Sequence, residues 1–184
     1  MLESLGKRIL VVGDSGSGKS TVGAEIARRC GLEPVELDAL YWGPEWTPVD
    51  GEVFRERVRA AVGAESWVIV GNYFPRVRDL SWPPADTIVW LDLSMRITIP
   101  RLLRRTWHRW RSGEESWGGR ESFWVQFKLW DPEASLIGYT LKTHRRRRRQ
   151  FLSAMHDPSL AGVRFEQLRS RAEVERFLER KGCS

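Results

Sequence analysis

Cysteine is nearly absent: the 184 residues contain two, Cys30 and Cys183, with no metal-ligand spacing. Their scarcity excludes a cysteine-built metal cage and a disulfide-dense scaffold, and predicts reduced thiols without a chemical role. The three histidines are as sparse. His144 and His156 have no partner spacing that suggests catalysis, so surface or capping roles are expected. Long apolar runs are missing too. None approaches the roughly 20 residues a membrane-spanning helix needs, and no signal-type segment precedes the first apolar run. The expectation is a soluble, cytoplasmic protein without a membrane partner. There is room for one α/β domain with a real core and a small lid, but not for a second large domain. Excess basic charge is missing from most of the chain. The net charge is +6, yet residues 101–150 hold 13 Lys or Arg against 5 Asp or Glu, which leaves the remainder slightly acidic. The basicity is therefore local, a binding feature or a tail.

What is present begins with Gly13-Asp14-Ser15-Gly16-Ser17-Gly18-Lys19-Ser20-Thr21. It fits the pattern G-x-x-x-x-G-K-[ST], in which glycines let backbone N–H groups curl around phosphate oxygens. In this pattern Lys19 reaches the terminal phosphates and Ser20 holds Mg²⁺. The flanks agree. Ile9-Leu10-Val11-Val12 is a continuous apolar run that suits a strand buried on both faces. Behind the loop, Val22, Ile26 and Ala27 fall at helical spacing, Arg28 and Arg29 sit in the last turn, and Gly31 follows as a cap. One helix from Lys19 to about Cys30 is thus aimed at a nucleotide's phosphates.

Pro34 to Asp38 reads as a second strand that delivers Asp38 at its carboxyl end, where open parallel sheets bind ligands. From there Asp38 orients an acceptor hydroxyl, acts as a base or holds Mg²⁺ through water; a helix-cap role is the structural alternative. The aromatic stretch after it contains Tyr41 and Trp42, which either stack on an acceptor or pack a small subdomain. Asp50 reads as the N-cap of a helix with Phe54, Val58 and Ala61 as its apolar stripe and Gly63 at its end. Arg55 on that helix meets a ligand only if the helix start faces the crevice. Further buried strands are expected at Trp67–Val70 and Thr87–Leu91, the first followed by Asn72, Tyr73, Arg76 and Arg78, the second ending in Asp92. Strands alternating with helices predict right-handed parallel crossovers and a three-layer α/β fold.

Several of these segments together resemble the adenylate-kinase-like P-loop kinases, and most closely the family labelled DNA topology modulation protein. The carriers are the phosphate loop, Leu37-Asp38-Ala39-Leu40-Tyr41-Trp42, Phe54-Arg55, Trp67 through Tyr73, Ala85 through Asp92, Arg104-Arg105-Thr106 and Leu168-Arg169-Ser170-Arg171. The resemblance spans nearly the whole chain. It implies a P-loop NTPase fold with a five-stranded parallel sheet, an acceptor-side insertion at about 39–63 and an arginine-rich helical lid at about 101–149. It also implies ATP and Mg²⁺ as cofactors, adenine held near Arg169 and Ser170, and an acceptor site that includes Asn72, Tyr73, Arg76 and Arg78. One departure stands out. Relatives commonly carry an Asp just before Gly-Asn-Tyr, where many such kinases orient Mg²⁺ through its waters, and here the position is Val70. Asp38 would then have to serve the metal, ahead of Asp92.

Ile99, Leu102, Leu103, Thr106, Trp107 and Trp110 recur at helical spacing, with Pro100 marking a start or a bend. By resemblance Arg101, Arg104 and Arg105 on the other side are lid arginines that offset charge during phosphoryl transfer; the alternative is a solvated face. Phe123, Phe127 and Trp130 suggest a short stripe that ends before Pro132. The run Arg145 to Arg149 reads as helical, since Phe151, Leu152 and Met155 follow at helical spacing. Five consecutive helical residues cover the whole circumference, so not all five arginines point away from the body. Either one or two of them, Arg145 and Arg148 being the candidates, grip phosphates as a second lid arm, or the run binds nucleic acid, or it is a solvated helix. Val163 to Leu168 reads as the last strand and Ser170 with Glu173 as a capping box. The residues support a Mg-ATP-dependent phosphotransferase acting on a nucleotide, nucleoside or other small polar acceptor. A nucleotide-gated nucleic-acid-binding ATPase is the alternative.

Overall fold

The computed structural model describes residues 3–113, 115–116, 119–120 and 135–182. In chain order the elements are β1 (Glu3–Ser4), β2 (Arg8–Gly13), α1 (Lys19–Cys30), β3 (Pro34–Glu36), α2 (Leu37–Tyr41), α3 (Gly51–Val62), β4 (Trp67–Val70), α4 (Phe74–Ser81) and β5 (Thr87–Leu91). They continue as α5 (Met95–Ser112), β6 (Glu115–Ser116), β7 (Gly119–Arg120), α6 (Leu136–Ala154), β8 (Arg164–Leu168), α7 (Arg171–Arg180) and β9 (Lys181–Gly182). The central sheet has five parallel strands in the order β3-β4-β2-β5-β8. β2 and β5 are therefore neighbours although two strands lie between them in sequence, and the crevice above their carboxyl ends is where a ligand fits.

The strands are apolar because both of their faces are covered. Successive side chains alternate across the sheet. Ile9, Val11, Val68, Val70 and Val89 pack with Val22, Ile26, Ala27 and Phe177, under α1 and α7. Leu10, Val12, Ile69, Ile88 and Trp90 face the other way, onto Phe54 and Val58 of α3, Trp82 at the end of α4 and Phe151 of α6. Val70 belongs to the first of these cores and is fully buried. Its Cγ2 lies where a Cβ on Gly23 of α1 would be, so the helix rests directly on it. The seat that an aspartate takes by resemblance is thus a dry one here.

Three expectations are corrected. The second strand stops at Glu36, and Asp38 stands in the first turn of α2 instead of ending a strand. The chain turns early because Leu37 buries itself over Gly71, whose φ is +144° and where a Cβ would stand 2.7 Å from that of Leu37. Pro100 does not start the helix: α5 begins at Met95 and runs through it. The buried side of α5 is Thr98, Leu102 and Thr106, while Trp107 and Trp110 are 38% and 41% exposed, with ring centroids 5.3 Å apart. Cys30 is disulfide-bonded, against the expectation of a reduced thiol. The stripe of Phe123, Phe127 and Trp130 lies outside the described residues. Among the described residues no helix is long and apolar enough to cross a membrane.

Candidate functional site

The loop from Gly13 to Thr21 joins β2 to α1, and its shape is set by contacts that only glycine allows. Gly16 has φ +79°, and a Cβ there would strike the carbonyl oxygen of Thr98 and stand 3.2 Å from Leu102 Cβ. α5 therefore lies against the loop. Gly18 has φ +92° and precedes the first turn of α1 as its N-cap, so the unsatisfied N–H groups of that turn face the loop's interior. Ser15 is half-buried, Ser17 is buried with its backbone N–H donating to the Asp14 carbonyl at 3.0 Å, and Ser20 and Thr21 are exposed at the mouth.

Two clamps hold this loop. Asn72, just past β4, donates from Nδ2 to the Gly13 carbonyl at 2.6 Å and accepts the Gly13 N–H at 2.9 Å. The backbone of Gly71 donates to Val11 at 3.0 Å one step earlier. The side chain of Asn72 thus continues the β2–β4 ladder by imitating a strand, and the residue expected at the acceptor serves the loop. The second clamp comes from α6. His144 Nδ1 is 2.5 Å and Arg147 Nη1 3.2 Å from the Asp14 carboxylate, with all three side chains largely buried. Arg147 also lies over the Tyr139 ring at 4.8 Å and donates to its hydroxyl at 3.0 Å.

The arginine run is accordingly divided. Arg147 holds the loop; Arg148 is bound through Nε to Asp92 at 3.1 Å and 3.2 Å, where Gln167 also donates, at 2.7 Å. Arg145, Arg146 and Arg149 are exposed. The sequence alone points to Arg145 and Arg148 and suggests a surface or capping role for His144. The signal for Arg147 and His144 was their i, i+3 spacing on one helix face, and only the fold supplies the carboxylate they meet.

On the other side of Lys19 stands a pair of carboxyl groups two positions apart. Glu36 is the last residue of β3, and burial raises its pKa although the neighbouring Ser20 and Lys19 pull it down. Lys19 itself is lowered by burial, against the opposing pull of Asp38 and Glu36; Arg105 and Arg147 add to the lowering. The Tyr73 pKa is raised, first by burial and then by the Asp38 charge beside it. Sequence reasoning missed Glu36. The Glu-x-Asp spacing was its available signal, although the chain turns from β3 into α2 between the two residues.

Around Asp38 the rings of Tyr41, Phe54 and Tyr73 meet at centroid distances of 4.7 to 5.1 Å, and Trp42 stands edge-on to Tyr41 at 4.9 Å. Tyr41 is 8% exposed, so it packs as well as lines. The three arginines expected here separate. Arg55 holds Asp79 at 3.0 Å and 2.5 Å and the carbonyl of Arg76. Arg78 pairs with Asp157, whose carboxyl is held down to about 2 by Ser159 and by Arg78. Arg76 alone of the three meets no carboxylate among the described residues; its guanidinium lies 5.2 Å from the Tyr41 ring centroid.

Of the lid candidates, Arg105 is near enough to bear on both Lys19 and Glu36. Arg101 is half-buried and Arg104 exposed on the same helix. Ser170 accepts from the Glu173 N–H at 3.2 Å, while Glu173 reaches back to the Arg169 N–H at 2.8 Å. The capping box is present, displaced by one residue on its return arm.

No family model matches the chain. A shikimate kinase of Sulfurihydrogenibium sp. (strain YO3AOP1) is 28% identical over 110 residues, covering 52% of this chain and 66% of that protein. The match thus spans just under two thirds of the relative's length. The structure of a sugar kinase from Janibacter sp. HTCC2649 superimposes with a TM-score of 0.50 at 20% identity, over 95% of this chain and 91% of that one. A gluconokinase from Sinorhizobium meliloti 1021 does so with a TM-score of 0.51 at 21% identity, over 97% and 94%. The chain shares the α/β fold of these two kinase structures.

Proposed function

We propose that the protein is a small-molecule kinase that moves the γ-phosphoryl group of ATP to a hydroxyl of a small polar acceptor. The observation that carries this reading is the placement of Asp38. It stands beside the Tyr73 hydroxyl, whose pKa its charge raises, and near enough to Lys19 to oppose the lowering of that group's pKa. A carboxylate there, across from a lysine of a phosphate loop, is placed to take a proton from an attacking hydroxyl. The shikimate kinase, sugar kinase and gluconokinase likenesses support the same class. Within it, the aromatic and Gly-Asn-Tyr segments favour the topology modulation family.

The loop N–H groups and Lys19 hold the triphosphate, and Arg105 approaches from α5 to offset charge on the transferred group. Asp38 accepts the hydroxyl proton as the new O–P bond forms; the bond from the γ-phosphorus to the bridging oxygen breaks, and ADP leaves with that electron pair. The residues fit Mg²⁺, a hard cation that needs one or two protein oxygens beside substrate phosphates. Ser20 and Glu36 offer oxygen ligands at the helix N-terminus. Among the described residues no cluster of three or more His, Cys, Asp or Glu competes as a cage for a different ion. Held there, the ion would supply Lewis-acid stabilisation of the charge that develops on the transferred phosphoryl group. Glu36 thereby takes the metal side, and Asp38 is left to the acceptor.

³¹P NMR of Mg-ATP tests this with and without a pool of nucleoside monophosphates, nucleosides and hydroxylated acids. A phosphorylated product that appears only with the pool, and not with Lys19→Ala, is expected; free phosphate alone would overturn it. A second reading rests on Arg145 and Arg149, which line a cleft of about 530 Å³ with Met95, His144 and Arg148. It makes the protein an ATP-gated nucleic-acid binder. Salt-sensitive RNA or DNA binding lost in an Arg145, Arg146 and Arg149 triple-alanine variant would favour it.

A further inference from the structure

The phosphate loop carries one residue that its task does not call for. A loop that gathers phosphates gains nothing from a carboxylate, because two anions brought together out of water repel. Asp14 nevertheless stands second in it, and its carbonyl closes the loop's own turn by accepting the Ser17 N–H at 3.0 Å. Its side chain is 11% exposed, too little for water and salt to screen the charge. What meets it is α6, with His144 Nδ1 at 2.5 Å and Arg147 Nη1 at 3.2 Å. Arg147 is itself anchored. Its guanidinium lies over the Tyr139 ring at 4.8 Å and its Nη2 donates to the Tyr139 hydroxyl at 3.0 Å, so ring, hydroxyl and carboxylate all engage one group. An arginine held in this way is built to stay on Asp14, not to reach for a ligand.

We infer that Arg147 is a positioning residue that touches no phosphate: with His144 it masks the Asp14 charge, and that mask sets how well the loop accepts a nucleoside triphosphate relative to a diphosphate. The inference rests on the nucleotide-binding part of the kinase reading and uses nothing about the acceptor. Unmasked, Asp14 would oppose each added negative charge on the incoming phosphate chain, so the more highly charged nucleotide would lose the more. The pair also lies within electrostatic reach of the loop's lysine, since Arg147 adds to the lowering of the Lys19 pKa. The carboxylate has a use of its own. It ties α6 to the loop across 130 residues of chain, a connection that an uncharged residue at position 14 would not make with a guanidinium and an imidazole. Spacing completes the argument: His144 and Arg147, three apart, share one helix face, while Arg145, Arg146 and Arg149 are exposed and take no part.

The test titrates ATP and ADP, each as its Mg²⁺ complex, into the full chain by calorimetry, for the parent and for Arg147→Met, Arg147→Lys, Asp14→Asn and the double variant Asp14→Asn with Arg147→Met. Methionine keeps an apolar stem against Tyr139 and removes the charge. Arg147→Met should weaken ATP at least about tenfold and ADP only about threefold, and Arg147→Lys should keep most of the parent's affinity. Adding Asp14→Asn to Arg147→Met should return ATP to within about threefold of the parent, because no charge is left to mask. An arginine that grips phosphate directly would leave the double variant as weak as Arg147→Met. A merely structural one would weaken ATP and ADP by the same factor. Either result overturns the inference. Should Arg147→Met not fold, Asp14→Asn alone decides: it should tighten ATP about threefold or more and ADP by less, and the absence of any gain overturns the inference. If the parent binds neither nucleotide, the kinase reading falls and takes the inference with it; if the parent binds both and the variants follow none of these patterns, the inference alone fails.

Discussion

The donor side and the acceptor side of the crevice are built by different means. On the donor side the working parts are backbone groups, and their shape depends on a loop where Gly16 and Gly18 take left-handed angles and α5 presses on Gly16. On the acceptor side the parts are side chains gathered from α2, α3 and the start of α4, and the shape depends on ring contacts around Tyr41 and Tyr73. A site made of backbone must be written in consecutive residues. A site made of side chains can be assembled from anywhere and can be altered one residue at a time without loss of the fold.

Substitutions sharpen this contrast, and the largest effect is expected on the donor side. Lys19→Ala should lower nucleotide affinity and turnover at least about 100-fold, by the same factor whichever acceptor is offered. Calorimetry with ATP checks the first and a coupled ADP assay the second. An acceptor-dependent loss would break the division between the sides. Asp38→Asn comes next: kcat should fall by about 10² to 10⁴ with nucleotide affinity unchanged, because it removes a proton acceptor and no phosphate contact.

Asn72 tests the boundary between the two sides. Its position after β4 suggests the acceptor, yet its bonds go to Gly13. Asn72→Ala should cost about 1–3 kcal/mol of stability, read by chemical denaturation, since it strands both the Gly13 N–H and its carbonyl. It should weaken ATP binding and leave discrimination among acceptors intact.

The smallest effect concerns pH. The Glu36 carboxyl is raised in the folded state, chiefly by burial. Its contribution to stability is therefore full below the ordinary glutamate value of about 4.3 and is lost as pH rises through the elevated one. Glu36→Gln should thus melt higher than the parent at neutral pH, with the gain vanishing as the pH is lowered below about 4. The same variant should bind Mn²⁺ less well, which separates a metal role from a purely structural one.

Legibility in the sequence follows the same division. The five strands, α1 with its glycine cap, the Asp50 cap and the helical arginine run all have local causes: apolar runs, capping residues and helical spacing. The phosphate loop was readable for the same reason. Glu36 and Arg147 were not, because each acquires its role from a partner far away in sequence, Ser20 in one case and Asp14 in the other. Arg55 and Arg78 looked like ligand contacts because nothing local says that Asp79 and Asp157 will occupy them. The early end of β3 is also tertiary, set by the space that Gly71 leaves for Leu37.

The contact of Gly23 with Val70 reaches into how the sequence is free to drift. Because α1 lies on Val70 with no Cβ between them, the two positions form an epistatic pair. Any side chain gained at 23 calls for a smaller one at 70, and a carboxylate placed at 70 would have to be desolvated beneath the helix before it served anything. Substitutions at these sites are accepted in a restricted order, so the valine is held in place by its neighbour's lack of a side chain.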